Sequence, residues 1–557
     1  ETSGRYVDSS GLRLRLGSSG RWLVDPYNLT VVAGNGLTNN DGPTSFTPNG
    51  DDSLIGADLI AAQLDANTNV TLDTGGPAAQ AGNLTISAPI AKSLNNGAGL
   101  TLVAANAVAI NSAITLPGGA LTVAAGGGVL FTAATMVGSN LSVTAGGAVT
   151  QTAAGVLTVA GTSTFAVGAA PIALGSSGNS FGGAVSVSNT GSNNVSLADA
   201  TSLMLGTSTV GGNLAITTSG ALTQSGALAV SGTSSFDTGS HSIALTNAGN
   251  DFTGAVSVSN TGSNNVSLTD ANSLTLGTST VGGNLAITSV GGAVTLGTCS
   301  VGGAFLVTGA SGATVNGAIS ASSFLASAAG STSFNGGSVT TTGAQIYNNA
   351  VKLPVGSTNL SGSTVTFNST VDGASNLTVT GNASFNDQVG ATTSLTSLHV
   401  TGTSDINTCL IKTTGAQIYD GAVTMLSCTI LDGHPVTFNS TVNGSPIYQF
   451  VGFFSPIPNS KWKLGQTVPF KIALADMSGV RLSDSAAAAL LTPICRVKIS
   501  SASLSLAPTC MKYDPANDQF TFSVKLSNPG TQTVTVTLSY PGTTFTTTKS
   551  VTFTATK

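Results

Sequence analysis

A repeat of 71 residues constrains the fold of this chain more than any other feature of its sequence. The stretch FGGAVSVSNTGSNNVSLADATSLMLGTSTVGGNLAIT begins at Phe181, and a near-identical copy begins at Phe252. A more divergent copy begins at Gly138, and the related segments TTGAQIYNNAV and TTGAQIYDGAV begin at Thr341 and Thr413. Self-similarity at a fixed period is typical of folds that stack one structural unit on the next, so the sequence predicts such an architecture.

Short strands separated by turns fill each repeat. In NLAIT the apolar residues Leu285 and Ile287 alternate with small or polar ones, as Val256 and Val258 do in AVSVS. This alternation is the pattern of half-buried strands. The intervening GG and TGSNN segments supply the Gly and Asn residues that turns require. Apolar anchors recur about every 18 to 24 residues, which is the size of one coil of a β-solenoid, so roughly three or four coils fill a repeat.

The fold class predicted from these patterns is all-β, with a right-handed parallel β-helix, or β-solenoid, over residues 31–445. Stacked coils enclose a narrow core, which fits a chain that is rich in Ala, Val and Leu and only 5% aromatic. At about 4.8 Å per coil, ~20 coils would form a rod on the order of 100 Å long. A globular sandwich is the alternative, but it requires no 71-residue repeat.

Two further features belong to the predicted solenoid. Turn residues such as Asn213 and Asn284 are placed to stack into amide ladders on successive coils. Near the start of the chain, Ser53 is a candidate N-cap, and the helical spacing of the apolar residues that follow predicts a short amphipathic helix over residues 53–65. We expect this helix to cover the apolar core at one end of the solenoid.

A change of composition marks a separate C-terminal domain over residues 446–557. Lys and Arg return there, prolines cluster, and TVPFKIALAD, FTFSVKLS, TVTVTLSY and KSVTFTATK predict strands at the spacing of a small immunoglobulin-like β-sandwich. Cys495 and Cys510 bracket one excursion of this domain. A disulfide between them would stabilise the domain by ~3 kcal/mol in the chain-entropy model.

The cysteines as a group indicate structural roles. Cys409 and Cys428 are 19 residues apart, about one coil, so they form a second disulfide candidate. Cys299 has no partner one coil away and is either a buried thiol or a link to another chain. The cysteine spacings match no zinc or haem pattern, and the three histidines are scattered singly, so neither a metal site nor a cofactor is predicted. Disulfides favour an oxidising, extracytoplasmic compartment.

Residues 1–30 are predicted to form an N-terminal arm and cap strand. The first 21 residues hold four arginines, whereas the next 330 residues hold one cation, Lys92. The segment LRLRL alternates strictly, so a strand there would place its leucines on one face and its arginines on the other. The candidate assembly residues are Leu12, Arg13, Leu14, Arg15, Leu16 and Trp22.

Two interpretations of this arm remain open. It is either the first strand of the solenoid cap, kept soluble by its charges, or a strand that docks on another copy of the chain. The arm also lacks an initiating methionine and an apolar signal run, so Glu1 is expected to follow a processing site.

Several phrases resemble a known family. RWLVDPYNLTVVAGNG, SLIGADLIAAQLDANTNVTLDTGG, GNLTISAPI, DANSLTLGTSTVGGNL and TTGAQIYNNAV resemble the repeat region of filamentous-haemagglutinin-type exoproteins of Gram-negative bacteria over most of residues 20–445. GFFSPIPNSKWKLGQTVPFKIALAD resembles a β-sandwich module with a Pro-x-Lys-Phe signature, which here reads Pro469, Phe470, Lys471 and Ile472 and so departs at its last position. The first resemblance implies a secreted or surface-attached β-helical adhesin of a two-partner secretion system.

Composition excludes several classes of function. Residues 93–198 contain no Asp, Glu, Lys or Arg, and later acids such as Asp199 and Asp270 are single and equivalent in the repeat, which indicates a role in turns. Polysaccharide-active β-helices need clustered carboxylates or bases, so we expect no enzymatic activity. No basic stripe indicates a nucleic-acid partner, and no apolar run reaches the ~20 residues of a membrane span.

Three functions fit what is left. The first is an extracellular structural protein, a rigid rod that assembles head to tail with other copies into a bacterial surface filament. The second is a monomeric secreted adhesin stalk that binds host or glycan surfaces. The third is binding of glycan or ice through outward rows of Thr, Ser and Asn, although any solvated solenoid face carries such rows.

Overall fold

The computed structural model describes residues 27–557 except 39, 42–44, 76–79, 426–428, 445–447, 455–456, 458–460, 476–478, 492–494 and 540–545. The chain divides into two compact units, of which the first ends at Gly303 and the second begins at Ala304. This division lies inside the segment predicted as solenoid, and the domain boundaries at residues 30 and 445 stay predictions.

In the part of the first unit that the structure describes, one helix, α1 (Ala57–Asp65), lies among short strands. These strands are β1 (Leu29–Val32), β2 (Leu37–Thr38), β3 (Asn40–Asp41), β4 (Ser45–Pro48), β5 (Ser53–Gly56), β6 (Val70–Asp73), β7 (Leu84–Ile86), β8 (Ile90–Ala91), β9 (Leu100–Ala104), β10 (Val108–Ile110), β11 (Ile114–Leu116), β12 (Leu121–Ala125), β13 (Val129–Phe131), β14 (Thr135–Val137), β15 (Leu141–Ala145), β16 (Val149–Gln151), β17 (Leu157–Val159), β18 (Ser163–Val167), β19 (Ile172–Leu174), β20 (Ser180–Phe181), β21 (Val185–Ser188), β22 (Val195–Asp199), β23 (Leu203–Leu205), β24 (Ser208–Val210), β25 (Leu214–Thr218), β26 (Leu222–Gln224), β27 (Leu228–Val230), β28 (Ser234–Asp237), β29 (Ile243–Leu245), β30 (Asp251–Phe252), β31 (Val256–Ser259), β32 (Val266–Asp270), β33 (Leu274–Leu276), β34 (Ser279–Val281), β35 (Leu285–Ser289), β36 (Ala293–Leu296) and β37 (Cys299–Val301).

The described residues of the second unit form further short strands, four strands of ten or more residues and a second helix, α2 (Asp484–Ala489). Its strands are β38 (Ala304–Gly309), β39 (Gly312–Val315), β40 (Ala318–Ala321), β41 (Ser323–Ala326), β42 (Thr332–Phe334), β43 (Ser338–Thr341), β44 (Gln345–Tyr347), β45 (Val351–Lys352), β46 (Gly356–Phe367), β47 (Val371–Asp372), β48 (Ser375–Phe385), β49 (Ser397–Val400), β50 (Ser404–Ile406), β51 (Leu410–Lys412), β52 (Gln417–Tyr419), β53 (Val423–Met425), β54 (Ile430–Asp432), β55 (Val436–Phe438), β56 (Val442–Gly444), β57 (Gln449–Phe453), β58 (Lys461–Lys463), β59 (Thr467–Ala475), β60 (Val497–Ser501), β61 (Leu506–Cys510), β62 (Lys512–Asp514), β63 (Gln519–Lys525), β64 (Gly530–Ser539) and β65 (Thr546–Thr556).

Strands of successive coils pair in parallel and in register. Leu100 of β9 lies beside Leu121 of β12, which lies beside Leu141 of β15, and that residue lies beside Ser163 of β18. Most pairings place equivalent residues 19 to 24 positions apart, as between β22 and β25 or between β7 and β10. The prediction of an all-β solenoid built from parallel coils of this length is therefore confirmed.

Alternating side chains fill the core of the first unit. In β12 Leu121 is buried while the residue that follows it is exposed. Two edge-to-face ring pairs, Phe165 with Phe181 and Phe236 with Phe252, have centroid distances of 6.3 and 6.1 Å. The two pairs are equivalent positions of the 71-residue repeat, so the repeat in sequence is also a repeat of packing.

The helix predicted over residues 53–65 is shorter in the structure. Residues 53–56 form β5, which pairs with β1, and α1 begins only at Ala57 and ends at Asp65. Ser53 is therefore not the N-cap, a position held by Gly56. Pairing with β1 satisfies the main-chain groups of residues 53–56, and this long-range partner outweighs the local helical spacing.

Helix α1 packs against the start of the coil stack. Its buried residues are Ala57, Ile60 and Leu64, and it contacts β5, β6 and β8. Strand β8 is the terminal strand of a five-stranded sheet that continues through β11, β14, β17 and β20. The helix thus covers the edge of that sheet, and its expected position over the apolar core at one end of the solenoid stays a prediction.

Aromatic rings form a column in the coils of the second unit. The rings of Phe305, Phe324, Tyr347, Phe367 and Phe385 follow one another at centroid distances of 5.5, 5.8, 5.5 and 5.4 Å. Ring pairs of this kind add about 0.5–1.5 kcal/mol beyond the area that they bury. The core therefore changes from aliphatic stacking to ring stacking along the chain.

The repeated TTGAQIY motif adds a buried polar pair to this core. Tyr347 Oη donates to Gln345 Oε1 at 3.0 Å, and Tyr419 Oη donates to Gln417 Oε1 at 3.1 Å. Gln345 Nε2 donates in turn to carbonyls of β43 and β46, so its amide links three strands. Burial raises the pKa of both phenols.

Two sheets at the C-terminal end of the second unit share one apolar core. One sheet has the strand order β57, β59, β63, β62, and the other has the order β58, β65, β64, β60, β61. Buried residues of both sheets, including Phe470, Val497 and Phe553, belong to a common hydrophobic cluster, against which Ile430 of the coils also packs. The assignment of this part to an immunoglobulin-like sandwich stays a prediction.

The turn glycines provide a test of the stacking, because successive coils approach each other closely at these residues. A Cβ atom at Gly282 would collide with the carbonyl oxygen of Gly262 on the preceding coil, whereas a Cβ atom at the exposed Gly97 would meet no atom within 4 Å. We predict that Gly282→Ala lowers the free energy of unfolding by about 1–3 kcal/mol, because the coil must shift to accommodate the methyl group.

The measurement is hydrogen exchange of the amides in β31 to β35, with Gly97→Ala as the matched control. Faster exchange only in Gly282→Ala is the expected result. Equal protection in both variants would mean that the coils are not packed as tightly as the structure places them.

Candidate assembly surfaces

Part of the predicted site lies outside the described residues. Leu12, Arg13, Leu14, Arg15, Leu16 and Trp22 fall in residues 1–26, and Cys428 is also undescribed, so the arm and the Cys409–Cys428 bridge stay predictions. Cys495 and Cys510 are joined by a disulfide in the structure, with their Cα atoms 5.9 Å apart.

Cys299 is a buried thiol in β37. Its Sγ atom donates to the carbonyl oxygen of Gly297 at 3.4 Å, and burial raises its pKa to about 12. At neutral pH the sulfur therefore stays protonated, and it packs as a small apolar side chain. Of the two roles open for this residue, the structure favours the buried thiol over a link to another chain.

The two repeat-equivalent acids bind main-chain groups. Asp199 Oδ2 accepts from the N–H of Phe181 at 2.9 Å, and Asp270 Oδ2 accepts from the N–H of Phe252 at 2.7 Å. Their Oδ1 atoms accept from the N–H groups of Thr201 and residue 272 at the following turn. Each carboxylate thus joins its own turn to the coil below, which is the turn role expected from the sequence.

Buried asparagines connect the coils in a way that the sequence analysis missed. Asn250 is fully buried; its Oδ1 accepts from the N–H at the start of β27 and from Gln224 Nε2, and its Nδ2 donates to carbonyls of β29 and β32. Asn179 makes the equivalent contacts with Gln151. The signal available was that the two asparagines lie 71 residues apart at equivalent positions of the repeat, each two residues before a phenylalanine.

The predicted asparagine ladder is formed differently at Asn213. Its Oδ1 accepts from the N–H of Thr233 on the next coil at 2.8 Å, while its own N–H donates to Asn194 Oδ1. A run of side-chain amide to side-chain amide bonds between asparagines on successive coils occurs in the second unit. They link Asn348, Asn368, Asn386 and Asn407 at 2.7 to 2.8 Å.

The first coils end in elements that close their edges. Strand β2 lies antiparallel on β5, strand β3 lies antiparallel on β4, and α1 covers β8. Antiparallel strands and a helix interrupt the parallel ladder, which hinders the addition of a further coil. The chain that forms this closed end is acidic, because residues 27–91 contain six Asp and no Lys, Arg or Glu.

Lys92 ties the loop beside the helix to these coils. Its Nζ donates to the carbonyls of Asn96, Ala98 and Pro117 at 2.6, 3.0 and 3.1 Å, and burial lowers its pKa. Asp65 at the end of α1 accepts from the hydroxyl and N–H of Ser93, and the hydroxyl bond is the main cause of its lowered pKa. The helix is thus held at its C-terminal end by bonds to the loop beside it.

The last coil is closed less completely than the first. Val436 and Phe438 of β55 are half-buried and Val442 of β56 is 42% exposed, whereas Tyr419 and Val423 one coil earlier are fully buried. Strands β55 and β56 pair with β52 and β53, and no described strand pairs with their outer edges. Within the described part of the chain, this end therefore presents main-chain groups without a strand partner beside apolar side chains.

Basic residues follow this last coil. Residues 446–557 contain ten Lys or Arg and four Asp, so the two C-terminal sheets carry net positive charge. Lys461 and Lys463 are exposed on the edge strand β58, where charged side chains hinder pairing with foreign strands. The acidic first coils and the basic C-terminal sheets are complementary in charge.

A shallow groove of about 430 Å³ lies on the C-terminal sheets. It is lined by hydroxyl-bearing and small residues of β60, β64 and the turn after β60, namely Ser500, Ser501, Ala502, Ser503, Thr533 and Thr535. Hydroxyl groups in such a row offer donors and acceptors without charge.

Titratable groups elsewhere are dispersed. His399 Nε2 and Asp420 Oδ2 lie 2.8 Å apart on the coil surface, and this bond lowers the pKa of the carboxyl. Among the described residues, no group of three or more His, Cys, Asp or Glu side chains is placed to hold a metal ion. No helix in the described part of the chain is long and apolar enough to cross a membrane.

Comparison with known proteins identifies the repeats. Residues 118–188, 192–259 and 263–315 match repeats of unknown function (DUF5649), which make up about a third of the chain. No curated protein matches the chain. The resemblance to filamentous-haemagglutinin-type exoproteins stays a prediction.

Similar solved structures include the surface-layer protein SbsC and InlP of Listeria monocytogenes. SbsC domains 4 and 5 are 16% identical over 21% of this chain and 57% of that one, with a TM-score of 0.13. The structure of SbsC domains 1–6 is also 16% identical, over 21% of this chain and 14% of that one, with a TM-score of 0.13. InlP is 11% identical over 42% and 80%, with a TM-score of 0.17. Scores this low define neither the fold nor the function of this chain.

Asp270 provides a pH test of the buried turn contacts. Burial raises its pKa, while the N–H groups of Phe252 and Asn272 act in the opposite direction. Because an unfolded Asp has a pKa of about 3.9, ionisation of Asp270 costs folding free energy at neutral pH, and this cost disappears as the pH falls through the raised value and below 3.9.

We predict that the unfolding free energy of the native protein, relative to Asp270→Asn, increases as the pH is lowered from ~7 to ~3.5. Urea unfolding at several pH values measures this difference. A difference that stays constant or decreases on acidification would show that the carboxylate is stabilised by its site.

The disulfide provides a test confined to the C-terminal sheets. Replacing both cysteines in Cys495→Ala/Cys510→Ala opens a loop of 15 residues. This change is predicted to lower the free energy of unfolding by about 3 kcal/mol. With Cys409→Ala present throughout, which removes the candidate bridge to Cys428, reductant should lower the unfolding midpoint of the parent chain and of a Cys299→Ala control, but not that of the double variant. A reductant effect that persists in the double variant would place the redox-sensitive bond elsewhere.

Proposed function

We propose that this chain is an extracellular structural protein, a β-solenoid that assembles head to tail with other copies into a bacterial surface filament. The observation that carries the proposal is the difference between the coils at its two ends. The first coils are closed and acidic, while the last coil has an open edge and is followed by basic sheets. Contact between unlike ends is heterologous and forms filaments when it does not close into a ring.

The interior of the coils supports a structural role. Parallel pairing, buried asparagines and ring stacking connect successive coils, so the contacts that stabilise the fold are contacts between coils. Buried polar groups with satisfied hydrogen bonds also favour a single alignment of neighbouring coils. The dispersed carboxylates favour a protein without enzymatic activity.

An extracellular location agrees with the disulfide between Cys495 and Cys510, since such bonds persist in oxidising compartments. Export by a two-partner system, which the sequence resemblance implies, would bring the chain to the bacterial surface. Neither a cofactor nor a nucleic acid is part of this proposal.

A monomeric adhesin is the second candidate. The groove lined by Ser500, Ser503, Thr533 and their neighbours favours it, because uncharged hydroxyl rows match the hydroxyl groups of a glycan. In that case the coils would serve as a stalk for the C-terminal sheets. A polysaccharide-active enzyme is the least favoured reading.

Electron microscopy of the full chain separates these functions. The filament proposal predicts long polymers in negative stain, and it predicts fewer polymers as salt is raised, because screening weakens attraction between the acidic coils and basic sheets. A chain in which residues 1–20 are replaced by a Gly/Ser linker of equal length tests the arm. Single particles of the native chain at all concentrations and salt levels would favour the adhesin and contradict the filament.

A further inference from the structure

The last coil ends in a β-edge with unused main-chain groups. The N–H of Asn439 donates to the carbonyl of Tyr419, and the carbonyl of Pro435 accepts from β52. Main-chain groups of a parallel strand alternate between its two sides, so the N–H and C=O groups of Val436 and Phe438 point away from β52. Among the described residues, none bonds to these outward groups.

The side chains of β55 are also incompletely covered. The ring of Phe438 stacks on Tyr419 with a centroid distance of 5.4 Å, yet Tyr419 is fully buried and Phe438 is only half-buried. Each earlier coil owes its burial to the coil that follows it. One further strand with inward apolar residues would complete the burial of Val436 and Phe438 and would satisfy their main-chain groups.

The segment 12–16 has the pattern that this edge requires. Its three leucines alternate with two arginines, and Gly11 and Gly17 bound it on either side. Its five residues are enough to span the three residues of β55. Placed beside β55, it would set leucines over Val436 and Phe438 and direct its arginines outward.

Charge favours the same placement. Asp405 and Asp432 are exposed on the last coils, and Asp420 lies at their surface, while Lys412 is the nearest cation that pairs there, with Asp432 at 3.9 Å. An added strand would bring its outward arginines to this acidic part of the coils, although the sheets that follow are basic. The first coils of the same chain are a poorer acceptor, because β2, β3 and α1 already end their ladders.

We propose that Leu12–Leu16 of a second copy adds as a parallel strand to the outer edge of β55. This rests on the proposed head-to-tail assembly and deepens it by naming the two surfaces that meet. Strand addition supplies main-chain hydrogen bonds for affinity, and the alternating side chains supply the register. The filament contact is then a continuation of the coil stack across the boundary between two chains.

Substitutions on both surfaces of the full chain test the pairing. Leu14→Asp places a carboxylate in the apolar row, and Leu14→Val keeps that row. Val436→Pro removes an outward N–H that β52 does not use, and Val436→Ala keeps it. We expect Leu14→Asp and Val436→Pro to raise the concentration needed for polymer formation by about tenfold or more, and the two controls by about twofold at most.

Folding of each variant is checked by hydrogen exchange in β49 to β53, which must equal that of the native chain. If polymers form normally from Leu14→Asp and Val436→Pro, the named surfaces are wrong while the filament proposal stands. If the native chain forms no polymers under any condition, both the filament proposal and this pairing are wrong.

Photo-crosslinking identifies the acceptor directly. Benzoylphenylalanine at position 14, in an equimolar mixture of ¹⁴N- and ¹⁵N-labelled chains, is expected to yield peptides that join residue 14 to residues 417–444 with mixed isotopes. Links within one chain to β2 or β5 would show that the arm caps its own coils. Links to the strands β57 to β65 would place the acceptor on the C-terminal sheets, and either result would overturn the proposal.

Discussion

Main-chain hydrogen bonding between successive coils is the interaction on which the rest of this structure depends. Each strand is satisfied on one side by the coil before it and on the other by the coil after it, so no coil is stable alone. The same requirement applies at the ends of the stack, where a terminal strand has a neighbouring coil on one side only. At the first coils it is met by antiparallel strands and a helix, and at the last coil it is only partly met.

Polar residues inside the coils select one alignment of neighbouring coils, which a repetitive sequence by itself does not. A chain that contains near-identical coils has several alignments of similar apolar burial available to it. Asn179, Asn250 and Asp270 each require particular main-chain partners on neighbouring coils, and an alignment that leaves them unsatisfied costs about 1–3 kcal/mol for each group. These residues thereby contribute specificity as well as stability.

The distribution of charge along the chain also follows from the stacking of coils. Coils stacked about 4.8 Å apart would bring equal charges on equivalent residues into close rows, and such rows repel. The long stretch without charged residues between Lys92 and Asp199 avoids this repulsion. Charges are concentrated instead at the first coils and in the C-terminal sheets, where they are available to partners.

Local alternation determined much of the fold from the sequence alone. The strands, the coil length, the turns and the role of Asp199 and Asp270 all follow from patterns within one or two coils, because the inward or outward direction of a side chain in a strand depends on its neighbours in sequence. The packing of Phe165 and Phe236 at equivalent positions follows from the 71-residue period.

What only the tertiary structure decided involves partners that are distant in sequence. The start of α1 at Ala57 depends on the pairing of β5 with β1. The contacts of Asn179 depend on the coils before and after it, and the bond of Asn213 depends on an N–H group one coil away. The open edge at β55 also depends on how closely each coil is covered by the next. Local spacing carries no information about which main-chain group lies opposite a side chain, and that geometry decided these features.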